Sequence, residues 1–141
     1  TVVSDNSVIG DDTVIRNHVV ISANTQIGKR CLIKSHVILG EEGFGLERDE
    51  ASVQIRIPHF GRVTIEDGVE IGTATVIARG TLDDTVIGEN TKIDDSSFVA
   101  HNVVIGANSV ICSLVCICGS VHIGSNVWIA PGCLIRDGLK L

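Results

Sequence analysis

The sequence predicts an all-β fold, a three-sided parallel β-helix in which each coil takes three hexapeptides. First, an aliphatic residue recurs at every sixth position in two long series, over 3–39 and 87–141. Second, an isoleucine–glycine pair occurs at 9–10, 27–28, 87–88, 105–106 and 123–124, so that within each group the step is three hexads. Third, only 3% of the chain is aromatic although 44% is hydrophobic, which suits a thin core of Ile, Val and Leu. A six-residue period marked at every third repeat is typical of a β-helix built from hexapeptide repeats.

The positions of the repeat have separate roles in such a fold. Position one holds an aliphatic anchor, and anchors one coil apart are expected to stack at about 4.8 Å, the spacing of paired strands. Glycine at position two leaves room for the neighbouring coil. Positions three and four collect Asp, Asn and Ser, which tolerate tight or left-handed backbone. The anchors of the two series are Val3, Ile9, Ile15, Ile21, Ile27, Ile33 and Leu39, then Ile87, Ile93, Val99, Ile105, Ile111, Ile117, Ile123, Ile129, Ile135 and Leu141.

Composition and charge narrow the possible functions. We expect residues 1–141 to form one β-helix domain. The net charge of −6 and the absence of a basic run argue against a nucleic-acid partner. The longest apolar stretch, 110–118, is too short to span a bilayer, and no signal-like segment opens the chain. Because the repeat is already running at Thr1 and still running at Leu141, we expect a piece of a longer protein.

Cysteine and histidine usage predicts no metal site. The five cysteines occupy repeat positions that suit small residues, which favours thiols in a reducing cytoplasm over disulfides or redox roles. His18 and His36 are one coil apart, but two ligands do not make a metal site. We therefore expect a cytoplasmic protein without a bound metal.

Two interruptions of the repeat are candidate functional regions. The first, about 41–60, is predicted to be a two-armed loop with its tip near 48–52. Phe44 and Phe60 bracket it, which favours a packed or ligand-facing role over a solubilising excursion. The second lies between Ile77 and Ile87. Counting from Ile71, it is two residues short of a coil, so it predicts a clipped corner at about 79–86 that could position a charged group or form a tight turn.

His101 is the leading catalytic candidate. It takes position three of its hexad, a corner position, and Gly119 follows one coil later and should lie directly above it. An imidazole beside an unobstructed backbone N–H suits a general base next to an oxyanion donor. An exposed corner histidine without a catalytic role is the alternative.

Several segments, taken in this order and spacing, resemble the UDP-3-O-acylglucosamine N-acyltransferases of lipid A biosynthesis. The resemblance covers about residues 40–135 and includes Gly43-Phe44-Gly45, Ile57-Pro58-His59-Phe60-Gly61-Arg62-Val63, Arg79-Gly80-Thr81-Leu82-Asp83-Asp84-Thr85-Val86-Ile87-Gly88, Lys92-Ile93-Asp94 and Ala100-His101-Asn102-Val103. It implies a left-handed β-helix, against the usual right-handed crossover rule, and a homotrimer with active sites between subunits.

The resemblance also implies roles for individual residues. His101 matches the catalytic histidine, Asp94 the carboxylate that orients it, and Gly119 the residue whose N–H faces the oxyanion. The implied reaction is direct transfer of a 3-hydroxyacyl group from the phosphopantetheine of acyl carrier protein to the 2-amino group of a UDP-3-O-acylglucosamine-like sugar nucleotide, with no bound cofactor. The implied substrate-binding residues are Phe44, His59, Arg79, Asp83 and Asn102.

The chain also departs from that family. Ala78 stands where the family usually has Asp, Gly138 falls near a second family histidine, and the N-terminal uridine-binding domain and C-terminal helical extension are missing. Two alternatives stay open: an acetyl-CoA-dependent N-acetyltransferase acting on a nucleotide-linked amino sugar, or a noncatalytic trimeric β-helix core. A zinc carbonic anhydrase on this scaffold is disfavoured because no two histidines are five residues apart.

Overall fold

The computed structural model describes all 141 residues as 21 short β-strands with no helix. The strands in chain order are β1 Val2–Val3, β2 Val8–Ile9, β3 Val14–Ile15, β4 Val20–Ile21, β5 Gln26–Ile27, β6 Leu32–Ile33, β7 Ile38–Leu39, β8 Leu46–Arg48, β9 Gln54–Arg56, β10 Val63–Ile65, β11 Glu70–Ile71, β12 Val76–Ile77, β13 Thr85–Ile87, β14 Lys92–Ile93, β15 Phe98–Val99, β16 Val104–Ile105, β17 Val110–Ile111, β18 Cys116–Ile117, β19 His122–Ile123, β20 Trp128–Ile129 and β21 Leu134–Ile135. The protein contains no helix that could cross a membrane.

Three parallel sheets form the sides of the β-helix. The first sheet runs β1-β4-β7-β12-β15-β18-β21, the second β2-β5-β10-β13-β16-β19 and the third β3-β6-β11-β14-β17-β20. Outside the interruptions, paired residues are three hexads apart, as Val99 and Ile117 are in the first sheet. The predicted three-sided parallel β-helix is therefore confirmed, whereas its left-handedness stays a prediction from the resemblance.

The core consists of the anchors and the residues at position five. Ile21, Leu39, Ile77 and Ile117 are fully buried in one such column, and burying each side chain contributes about 1.5–3 kcal/mol. Buried hydroxyl groups at position five form hydrogen bonds that run along the axis of the β-helix. For example, the Thr91 hydroxyl donates to the Gly106 carbonyl at 2.9 Å, so no polar group is stranded there.

The corners need left-handed backbone at position four of the hexad. Fourteen non-glycine residues at that position have φ between 54° and 67°, a region in which Asn and Asp are enriched. Asn102, with φ of 60°, is one of them. The polar composition predicted for the corners thus has a backbone cause.

The first interruption forms a β-hairpin. Strands β8 and β9 pair antiparallel, with Glu47 opposite Ile55, and the predicted two-armed loop corresponds to these strands. A regular coil would bring residue 45 opposite Ile27. Instead Ile65 pairs with Ile27, so the β-helix resumes only after the inserted segment has returned to the same sheet.

The second interruption lengthens a corner, and the predicted clipped corner is wrong. Ile65 pairs with Ile87, whereas a regular coil would bring residue 83 to that place, so this coil is longer than a regular one. Ile71 lies in the third sheet opposite Ile93. Counting from Ile71 to Ile87 therefore compares residues on two different sides of the β-helix, which is why the count comes out short.

Both insertions leave the β-helix between the first and second sheets. His101 lies at the same corner of the next coil, between β15 and β16. We call the successive corners 40–62, 78–84, 100–103, 118–121 and 136–139 the His101 edge.

Candidate active site

The structure stacks His101 and Gly119 at adjacent corners of the His101 edge. The Ser120 N–H donates to the His101 carbonyl at 3.0 Å, which fixes the two corners relative to each other. A Cβ on Gly119 would lie 2.7 Å from Cε1 and 2.8 Å from Nε2 of the half-buried imidazole. Only glycine leaves the space that this ring occupies, as the step of one coil predicts.

The tautomer of His101 follows from its hydrogen bond to Asn102. His101 Nδ1 lies 3.0 Å from Asn102 Oδ1. The Asn102 amide is itself oriented, because its Nδ2 donates to the Asp83 carbonyl at 3.1 Å and its Oδ1 accepts the Thr81 N–H at 3.1 Å. An amide oxygen can only accept, so Nδ1 carries the proton and Nε2 keeps a free lone pair. The Nε2 atom of His101 is therefore able to accept a proton.

Asn102, and not Asp94, orients His101 within one chain. Asp94 lies at the corner before β15 and His101 at the corner after it, because the stretch between them spans one whole side of the coil. None of the four ion pairs involves a histidine. The role that the resemblance gives Asp94 is not met inside this chain. The Asn102 backbone is held in turn by its N–H, which donates to the Thr85 hydroxyl at 2.9 Å.

The predicted oxyanion donor already has an acceptor. The Gly119 N–H donates to Asp137 Oδ1 at 3.0 Å. Asp137 was not among the residues expected at the site, although it lies one coil after Gly119 at the same position of the hexad, and this step was the available signal. In this conformation the N–H is therefore not free to receive an oxyanion.

His59 is buried against His101 by the base of the hairpin. It is 3% exposed, and the two rings meet edge to face with centroids 5.4 Å apart and planes at 73°. Gly43 and Gly45 cover His59, since a Cβ on either would come within 3.0 Å of its ring. The substrate contact implied for His59 is not available in this arrangement.

The other implied substrate residues are spread along the His101 edge. Phe44 is 79% exposed, so its side chain has no packed site within one chain. Arg79 donates from Nε to the Gly40 carbonyl at 2.6 Å and from a terminal nitrogen to the Ala23 carbonyl at 2.8 Å. Arg79 thus fastens the base of the hairpin, while the Asp83 side chain is exposed and makes no hydrogen bond.

Asp84 is a further charged residue of this edge that sequence analysis did not single out. It accepts from Arg62 Nε at 2.8 Å and from the Thr64 hydroxyl at 3.1 Å. Burial opposes its charged form, but the hydrogen bonds from Arg62 and Thr64 outweigh burial and lower the pKa of the Asp84 carboxyl. Asp84 therefore stabilises the lengthened corner.

A groove of about 320 Å³ flanks the reactive corner. It is lined by residues of the His101 edge together with the outer face of β16 and β19, namely Thr81, Leu82, Asp83, Asp84, Asn102, Val104, Ser120 and His122. This volume is at the lower end of the range typical of small-molecule sites. A larger groove of about 490 Å³ lies at another corner, beside Glu66 and Glu89. We assign the candidate site to the smaller groove because Asn102, which orients the His101 ring, is among its lining residues.

The cysteines and the remaining histidines of the chain have the following surroundings. No three His, Cys, Asp or Glu side chains converge as metal ligands. His18 and His36 stack on each other with centroids 4.9 Å apart. All five cysteines are free thiols. Burial raises the pKa of Cys31, and burial followed by the neighbouring Cys116 and Asp137 raises that of Cys118.

Curated proteins named UDP-3-O-acylglucosamine N-acyltransferase match part of the chain. A UDP-3-O-acylglucosamine N-acyltransferase of Coxiella burnetii (strain Dugway 5J108-111) is 51% identical over 83 residues, which cover 59% of this chain and 24% of that protein. One from Francisella tularensis subsp. holarctica (strain FTNF002-00 / FTA) is 49% identical over 74 residues, covering 52% and 22%. The matched stretch thus spans about a quarter of the length of these curated relatives.

Solved structures share the fold at low sequence identity. The UDP-N-acetylglucosamine O-acyltransferase of Moraxella catarrhalis RH4 has a TM-score of 0.79 at 23% identity, over 99% of this chain and 60% of that one. The Arabidopsis UDP-N-acetylglucosamine acyltransferase has a TM-score of 0.64 at 18% identity, over 96% and 61%.

The family described as bacterial transferase hexapeptide (six repeats) matches residues 1–41 and 84–119, which is more than half of the 141 residues. The repeat, the β-helix and the family match agree, and the chain belongs to the bacterial transferase hexapeptide family.

Proposed function

We propose that this chain forms the catalytic part of a lipid A acyltransferase. It would move a 3-hydroxyacyl group from acyl carrier protein to the 2-amino group of a UDP-3-O-acylglucosamine-like sugar nucleotide. The observation that carries the proposal is the free lone pair on His101 Nε2, which the Asn102 amide orients beside Gly119. The names of relatives with about half of their residues identical over the matched stretch support the substrate class.

The proposed reaction is a direct transfer. The sugar amine attacks the thioester carbonyl while His101 Nε2 accepts a proton from the nitrogen. The C–N bond forms and the C–S bond breaks. The proton then passes to the departing phosphopantetheine sulfur, so that the products are an amide and a thiol.

The tetrahedral oxyanion of this reaction needs a hydrogen-bond donor. The Gly119 N–H is the nearest candidate on the next coil, but Asp137 must first release it. We therefore propose that substrate binding displaces the Asp137 carboxylate. Phosphopantetheine, homotrimer assembly with sites between subunits, and a cytoplasmic location belong to the same proposal and rest on the resemblance.

A second candidate is a noncatalytic trimeric β-helix core. One observation favours it: a carboxylate lies on the N–H that the reaction would use, and an anion there repels an oxyanion. Transfer of a short acetyl group from coenzyme A to a nucleotide-linked amino sugar would use the same base and is separated from the leading proposal by the choice of donor.

The decisive experiment offers UDP-linked amino sugars to the full-length protein with either 3-hydroxyacyl carrier protein or acetyl-CoA, and follows product mass. Product from the carrier protein alone supports the proposal. Product from acetyl-CoA alone supports the acetyltransferase, and no product with either donor supports the noncatalytic core.

A substitution tests the assigned base. His101→Ala should lower kcat by roughly 10²–10⁴-fold because proton removal in the transition state is lost. His18→Asn is the control, since His18 lies at a distant corner whose left-handed backbone suits Asn. Near-normal turnover by His101→Ala would exclude His101 as the base.

A further inference from the structure

His59 contains a buried nitrogen without a hydrogen-bond partner. Its Nδ1 lies 2.9 Å from the Ile57 carbonyl, which can only accept, so Nδ1 carries the ring proton. Nε2 is then an unprotonated acceptor, and it is fully buried with no partner. Leaving such a group unpaired destabilises the folded protein. An orphaned buried atom of this kind calls for an explanation.

The unpaired nitrogen and the catalytic ring face the same narrow space. A Cβ on Gly43 would lie 3.0 Å from His59 Nε2 and 3.1 Å from Cδ2 of His101. Because Gly43 has no side chain, both rings reach this space and make their edge-to-face contact. The Arg56 guanidinium donates to the Gly43 carbonyl at 3.2 Å and holds this part of the hairpin in place.

The hairpin therefore brings a second imidazole to the first. His59 belongs to the inserted segment and lies far before His101 in the sequence, yet the Ile57 N–H bond to the Gly45 carbonyl at 3.0 Å closes the hairpin base over both rings. No carboxylate lies within ion-pairing distance of either ring.

We propose that His59 is a positioning residue for His101, which fixes the catalytic ring from the hairpin side and presents an unpaired acceptor toward the edge that becomes positive during catalysis. When His101 Nε2 takes the amine proton, the charge spreads over the whole imidazolium ring, including its C–H edge. A fixed acceptor in a buried place interacts with that charge more favourably than water would, because it does not need to reorganise. The cost of the unpaired Nε2 before the reaction is then offset in the transition state. This inference rests on the proposed function of His101.

The test uses two substitutions at His59. In His59→Asn the side-chain amide can still donate to the Ile57 carbonyl, but no atom takes the place of Nε2. In His59→Gln the longer amide places its oxygen near the Nε2 position. We expect His59→Asn to lower kcat about tenfold with KM changed less than twofold, and His59→Gln to recover part of that loss. The matched control is His36→Asn, an exposed histidine replaced by the same residue.

A spectroscopic measurement separates this proposal from the proposed function. The 15N shifts of His101, assigned in labelled protein, should show the Nδ1–H tautomer in the wild type. In His59→Asn the ring is no longer fixed from the hairpin side, so its hydrogen bond to Asn102 should weaken and a mixture of tautomers should appear. This readout does not need turnover. Unchanged His101 shifts in a folded His59→Asn protein, or a loss confined to KM, would overturn the role of His59. A wild type that is inactive with every donor but shows the tautomer shift would overturn the acyl-transfer function and leave the positioning contact standing.

Discussion

Replacing Gly119 with alanine tests the reactive corner most directly. The new Cβ would lie 2.7 Å from His101 Cε1, whereas ordinary contacts begin at 3.4 Å, so the imidazole must move by about 0.7 Å. The ring cannot move freely, because Asn102 holds Nδ1 and His59 lies against it. A misplacement of about 1 Å can cost roughly 10²-fold in rate, and we expect kcat to fall by about that factor.

Stability should change much less than turnover in this variant. The φ of Gly119 is not in the left-handed region, so alanine is compatible with its backbone, and the ring that it displaces is only half-buried. We expect the free energy of unfolding to fall by about 1 kcal/mol, at the low end for overpacking. Product mass with the hydroxyacyl carrier protein gives kcat, and urea unfolding gives stability.

The control for this prediction is Gly124→Ala. Its Cβ would meet only the Leu141 carbonyl, at 3.3 Å and far from His101, and turnover should stay near the wild-type value. If Gly119→Ala retained turnover within twofold, the stacking of glycine on the catalytic ring would not govern the reaction and the assignment of the site would be wrong.

Three further predictions follow from the His101 edge. Asp137→Ala should raise kcat up to about tenfold in the acyl-transfer assay, because the Gly119 N–H loses the carboxylate that competes with the oxyanion. Arg79→Ala should lower the free energy of unfolding by about 1–3 kcal/mol and speed proteolysis of the hairpin, since two carbonyls lose a charged donor. Asp84 should make stability fall in acid. Its pKa is lowered in the folded protein, so its contribution is complete above the ordinary value of 3.8 and is lost as pH falls through the lowered value.

Each of these has a contrary outcome. A fall in kcat for Asp137→Ala would give that carboxylate a positive role in catalysis. Unchanged proteolysis of Arg79→Ala would mean that Arg79 does not fasten the hairpin. For Asp84, the acid limb of the stability curve should flatten in Asp84→Asn, and an identical limb in both proteins would remove the carboxylate from the account.

The regular part of the fold could be predicted from sequence because every coil repeats the same pattern of inward-facing anchors and left-handed corners. Anchors such as Ile111 face inward whatever the neighbouring coils contain, and the left-handed corner at Asn108 needs only a residue that tolerates it. The residue count was misleading at the second interruption, where the regular repeat stops. Ile71 has the same residue type as the anchors of every side, so its side of the triangle could be assigned only by its pairing with Ile93.

Only the site contacts that run along the axis of the β-helix, from one coil to the next, could be predicted from the sequence. The step of one coil correctly aligns His101 with Gly119, and it would also have reached Asp137. Contacts between side chains within a corner do not recur with the six-residue period. The hydrogen bond from His101 to Asn102 depends on an amide orientation set by the lengthened corner, and the approach of His59 depends on how the hairpin folds back. No repeat pattern contains that information.

Both insertions enter and leave the β-helix at the same one of its three edges, while strands on either side keep their partners. The other two edges of the β-helix are unaffected by the segments that are inserted at the third. A loop of different length or chemistry grafted between residues 40 and 62 should therefore leave the ladders of Ile and Val intact. In such a scaffold, new ligand preferences can be acquired by exchanging one loop, without redesigning the protein that carries it.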